Sequence, residues 1–129
     1  MLLSLDYLYT PSADADRAVE RCVGGLGAVL EWRVAAIGAV VAAVRTTETG
    51  PLVLFADHLH EDSAIAIYRV ASYPAALARL RRHGAEQIRE VEIPPGPCAT
   101  FSLSGARLGV YELTRPHAGA HLAARGGTS

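Results

Sequence analysis

Val34-Ala35-Ala36-Ile37-Gly38-Ala39-Val40-Val41-Ala42-Ala43-Val44, set between Arg33 and Arg45, is the longest apolar run in the chain, and its reading decides the fold. It is too short to cross a bilayer as a helix. By periodicity alone it suits either a buried helix or two strands broken at Gly38. The second half of the chain settles the choice, because it repeats the first. Gln87 to Ile93 occupies the corresponding place and runs into Pro94-Pro95-Gly96-Pro97, which cannot continue as one helix. Strands are therefore expected at Ala28–Val34 and Val40–Thr46.

The repeat extends outward from there. Leu3 to Tyr9 alternates in the manner of a strand, with Leu3, Leu5, Tyr7 and Tyr9 on one face. Ser12 or Asp14 is placed to cap a helix. Ala15, Ala18, Val19, Cys22 and Leu26 form its apolar stripe, and Gly24, Gly25 and Gly27 stop it. Leu52 to Phe55 closes the first unit. After the polar stretch His58 to Asp62, the order recurs. Ala64–Val70 reads as a strand, and a helix follows with Ser72 as cap and Pro74 in its first turn. Ala76, Leu77 and Leu80 face inward and Gly84 ends that helix. Strands follow at Gln87–Ile93, Cys98–Leu103 and Arg107–Leu113. The expected fold is α+β, with two tandem βαβββ units, 3–57 and 63–114. Residues 1–116 then make one domain, and 117–129 a flexible tail. A duplicated unit places a functional cleft where the two copies meet.

Composition narrows the function. The net charge of −1 leaves no electrostatic footprint for nucleic acid or an anionic membrane. The cluster Arg79, Arg81, Arg82, His83 sits at the end of a predicted helix, where cations suit the helix dipole. All 12 basic residues are arginine, which excludes lysine Schiff bases, a lysine general base and a Walker-type phosphate loop. Cys22 and Cys98 make neither a disulfide framework nor a zinc pattern. Met1-Leu2-Leu3 runs straight into a strand with no basic leader, so a cytoplasmic protein is expected.

Local strings resemble the vicinal oxygen chelate superfamily, the group of glyoxalases, bleomycin-resistance proteins and extradiol dioxygenases. Leu5-Asp6-Tyr7 is similar to its opening Leu-Asp-His, and Leu26-Gly27-Ala28 to its helix-ending Leu-Gly-Ala. Ile67-Tyr68-Arg69-Val70 with Ala76-Leu77-Ala78-Arg79-Leu80 is similar to the start of its second unit, and Val110-Tyr111-Glu112-Leu113 to its closing strand. The resemblance implies that the two units form a U-shaped mixed sheet with helices on its outer side, and that metal ligands sit on the first and last strand of each unit. Those positions fall on Tyr7, Ala56, Ile65 and Glu112, of which only Glu112 is a ligand type. One carboxylate does not hold a catalytic divalent ion, which takes three protein ligands. No metal and no cofactor are therefore expected.

The candidate ligand-binding residues are Tyr7, Tyr9, Trp32, Ile65, Ile67, Arg69 and Glu112. Glu112 is expected in the cleft beside Leu108 and Val110, with Arg69 as its partner. Tyr68 and Tyr111 are expected on the helix side. Of the histidine pairs His58/His60 and His117/His121, none falls at a ligand position of the superfamily. The expected function is a metal-free protein of the glyoxalase and bleomycin-resistance type that sequesters a small, partly aromatic molecule. The alternative is a lyase, isomerase or dioxygenase using Glu112 as base or metal ligand. A homodimer is expected as well, covering Leu3, Leu5 and Ile67.

Overall fold

A computed structural model describes residues 1–36, 38–59 and 63–115. The expectations for His60, His117, His121 and the tail 117–129 lie outside the described residues. The elements run β1 (Leu2–Pro11), α1 (Ala15–Leu26), β2 (Val29–Ala36), β3 (Ala39–Arg45), β4 (Leu52–Ala56), β5 (Ile65–Val70), α2 (Tyr73–Arg82), β6 (Glu86–Ile93), β7 (Gly96–Leu103) and β8 (Ala106–Tyr111). The βαβββ order thus occurs twice, and the apolar run is the β2–β3 hairpin. No helix among the described residues is long and apolar enough to cross a membrane.

The chain divides into two compact units, one of Tyr7–Ala64 and one of Met1–Asp6 with the chain from Ile65 onward. In the first the strand order is β2-β3-β4-β1, with β1 and β4 parallel and the other pairs antiparallel. Asp14 caps α1 by accepting the Arg17 N–H at 3.0 Å. Gly27, at φ 72°, ends the helix in the left-handed region that glycine adopts freely. Gly24 and Gly25 lie inside α1 instead of stopping it. Val19 packs with Ala28, Ala42 and Val44, and Cys22, Val53 and Phe55 border that cluster. Leu26 departs from the expected stripe: it stands at the last helical position and is 74% exposed. The Asp16 carboxylate, in the first turn, accepts from Arg33 of β2 at 2.7 Å. That hydrogen bond holds its pKa below the usual carboxylate range.

In the other unit the order is β5-β8-β7-β6, with β5 and β8 parallel. Ser72 caps α2 through the Ala75 N–H at 3.3 Å, and Pro74 sits in the first turn. Ala76 and Leu80 of α2 pack on Val70, Phe101 and Val110. Gly96 and Pro97 belong to β7 and not to the turn before it. Ile93 and Gly96 are partners in register, so Pro94-Pro95 alone make the reversal. Leu3 and Leu5 of β1 remain exposed, as expected, but Ile67 is fully buried.

Candidate functional site

In the unit Tyr7–Ala64, α1 covers the face bearing Ala42, Val44, Val53 and Phe55. Strand alternation turns Leu52, Leu54, Ala56 and Ala43 to the other face. The register pairs Tyr7 with Leu52, Tyr9 with Leu54, Leu54 with Ala43, and Ala43 with Trp32. Trp32, Ala43, Leu54 and Tyr9 thus form one row across four strands. A bulge between Leu30 and Trp32 sets the tryptophan in that row. Tyr7 and Tyr9 are buried at 0% and 3% exposure, whereas Trp32 is half-buried. The Tyr9 hydroxyl lies 3.1 Å from Nε2 of the exposed His58, with the two rings 6.4 Å apart and tilted by 59°.

In the other unit α2 covers Val70, Phe101 and Val110. Ile65 and Ile67, both fully buried, and the half-buried Arg69 occupy the opposite face of β5. The partners of Ile67 and Arg69 on β8 are Gly109 and Tyr111. The parity expected for β8 is therefore reversed. Leu108, Val110 and Glu112 do share a side, but it is the α2 side. Glu112 Oε1 accepts the Tyr73 backbone N–H at 2.7 Å. It thereby satisfies one of the orphan donors in the first turn of α2 and places its charge at the positive end of the helix. No ion pair joins it to Arg69 among the described residues.

Tyr111 takes the place foreseen for Glu112 beside Arg69. It is fully buried and its hydroxyl donates to Asp6 Oδ2, while the Ser4 hydroxyl donates to Asp6 Oδ1 at 2.6 Å. Sequence reasoning missed this Asp6–Tyr111 pair. A glycine in sequence carries no sign of which face it occupies. In the structure a β-carbon at Gly109 would lie 3.0 Å from Ile67 Cγ1, on the Ile67 side of the sheet. Tyr111, two residues on, shares that side.

Tyr73 anchors α2 a second time. Its hydroxyl donates to Glu90 Oε1 at 2.8 Å and to the Cys98 carbonyl at 3.2 Å. Burial, followed by that carboxylate, pushes the phenol well above its usual value. Cys98 itself is fully buried, and desolvation, with Glu92 adding to it, pushes the thiol up to about 12. Iodoacetamide at about pH 8 is expected to label the half-buried Cys22 first and Cys98 only after denaturation. Peptide mapping that finds early label on Cys98 would reject its burial. The ordinary thiol value is 9.0, so above that pH the unfolded chain ionises while the folded one does not. Stability falls as pH rises through that window.

The four positions where the resemblance implies metal ligands carry Tyr7, Ala56, Ile65 and a Glu112 turned toward α2. That donor set does not fit a divalent ion. Among the described residues no three His, Cys, Asp or Glu side chains gather at one point.

No protein-family model matches the chain, and no curated protein matches it in sequence. Solved structures do. What they share with this chain is the fold of two tandem βαβββ units. Among them is methylmalonyl-CoA epimerase from Mycobacterium tuberculosis, with TM-score 0.73 and 16% identity over 92% of this chain and 93% of that one. A variant of the Streptomyces coelicolor methylmalonyl-CoA epimerase in complex with 2-nitronate-propionyl-CoA gives 0.71 and 14% over 88% and 99%. A hypothetical protein from Bacillus halodurans gives 0.66 and 14% over 84% and 93%. Likeness at these identities is a statement about fold.

Proposed function

We propose that this protein binds a small, partly aromatic molecule without the help of a metal. The observation that carries the reading is the donor set just described. Three of the four expected ligand positions are a phenol, a methyl and a sec-butyl group, and the fourth side chain is engaged with α2. Trp32 is the half-buried aromatic in the Tyr9 row, and Arg69 the half-buried cation on the buried Ile65–Ile67 face. Glu112 is half-buried as well, but its carboxylate is engaged by the start of α2. Purified protein should carry no stoichiometric Zn, Fe, Mn or Ni, and saturable quenching of Trp32 should pick out planar aromatic compounds. About one metal ion per chain by elemental analysis, lost in Glu112→Ala, would overturn the metal-free reading. We propose also that two copies pair through the exposed Leu3 and Leu5 of β1. Sedimentation at micromolar concentration should then give a particle larger than 13.6 kDa.

The likeness to epimerase structures favours a second reading, an isomerase that moves a proton. The Asp6–Tyr111 pair supplies a carboxylate and a phenol already sharing a hydrogen bond, and Glu112 remains the candidate base proposed from sequence. Turnover abolished by Asp6→Asn with binding retained would support that reading. Turnover abolished by Glu112→Gln at unchanged stability would support the sequence-based one.

A further inference from the structure

On the α2 side of its unit, two cavities adjoin at Met1. One, about 170 Å³, is lined by Met1, Leu2, Tyr68, Leu80, Phe101, Leu103 and other apolar groups of β8. The other, about 360 Å³, is a groove along α2 bordered by Ser72, Ala75, Arg79 and Arg82 on one side and Val70 on the other. Tyr68 and Val70 are alternate residues on the α2 face of β5, and Ala76 and Leu80 lie one turn apart on α2, so the walls of the two are continuous. Arg79 and Arg82, three residues apart on one helix face, are exposed and have no acidic partner within 4 Å among the described residues. Arg81, by contrast, points to Glu90 at 3.9 Å.

We propose that this double cavity is a binding site for a small amphipathic anion: a carboxylate or phosphate head on Arg79 and Arg82, with a short apolar tail in the smaller chamber. The chemistry of each half names its part of the ligand. A pocket with an apolar wall favours hydrocarbon, and about 150 Å³ is room enough for a benzene ring. Two guanidinium groups at the mouth of a groove supply planar forks that match a carboxylate or phosphate. The site goes beyond the proposed function, because none of its lining residues belongs to the candidate set above.

The test is titration of the full chain with octanoate, octyl phosphate, 1-octanol and octylamine, followed by calorimetry and by backbone amide shifts. Both anions should bind saturably, about tenfold or more tighter than the alcohol or the amine. Arg79→Gln with Arg82→Gln should bring octanoate to the affinity of the alcohol while leaving the alcohol unchanged. Leu103→Trp, which fills the tail chamber, should weaken both. Should that variant fail to fold, a series from butanoate to decanoate gives the same information, since affinity should rise with chain length and then level off. Trp32→Phe should change none of these affinities, which separates this site from the aromatic-ligand reading. Equal affinities for octanoate and octanol, or no effect of the arginine substitutions, would overturn the proposal. So would binding to phosphatidylglycerol vesicles without binding to free octanoate, which would assign the arginines to a membrane surface.

Discussion

Gly96→Ala is expected to destabilise the protein by about 3 kcal/mol or more, the upper end of what overpacking costs. A β-carbon at this position would lie 1.9 Å from the Glu112 carbonyl oxygen and 3.2 Å from its carbonyl carbon. Both are backbone atoms, and neither is free to retreat. The Glu112 N–H donates to the Pro97 carbonyl at 3.1 Å, and the Thr114 N–H donates to the Pro95 carbonyl at 3.0 Å. Moving the end of β8 aside would break that ladder and draw the Glu112 carboxylate away from α2. Urea unfolding should show the midpoint falling with little change in slope. A midpoint equal to that of the wild type would mean that β7 and β8 do not approach as closely as described.

Tyr7→Ala is expected to cost about 3–5 kcal/mol of stability, the range for removing a large side chain from a packed interior. The sequence reading puts this ring among the ligand-binding residues, where its loss would weaken a ligand. In the structure its exposure is 0%, and it stands in register with the equally enclosed Leu52. Denaturation of Tyr7→Ala and Tyr7→Leu side by side distinguishes the two cases. An enclosed ring gives a large loss that leucine partly restores. A loss below about 1 kcal/mol for the alanine variant would return Tyr7 to the ligand-binding set.

The order of elements was legible because it rests on strong local signals. Asp14 and Ser72 cap helices with side-chain oxygens, Gly27 supplies a left-handed residue, and two prolines turn β6 into β7. The repeat then decided the one ambiguous stretch. What a single sequence does not carry is the side to which each alternating set points. Leu108, Val110 and Glu112 do share a face, but period two is silent about whether that face meets a helix. The answer came from contacts distant in sequence: Val110 against Ala76 and Leu80, Glu112 against Tyr73, Tyr111 against Asp6. The closing Val-Tyr-Glu-Leu string likewise resembled a ligand strand on local grounds, and its glutamate serves a helix terminus 39 residues away. Leu26 was misplaced for a related reason, since helical periodicity extends to a last turn that no strand covers.

The tie between Glu112 and the start of α2 bears on the time course of biosynthesis. β5 has β8 as its parallel partner, and α2 has the last residues of the unit as its anchor. A ribosome delivers β5 and α2 early and their partners late. Until β8 emerges, Ile65 and Ile67 lack their β8 neighbour, and water takes the place of Glu112 at the Tyr73 N–H. Contacts of such long range slow folding, and the waiting strand exposes apolar surface to other nascent chains. The β5 face bearing Ile65 and Ile67 is thus completed only when the last strand of the unit has been made.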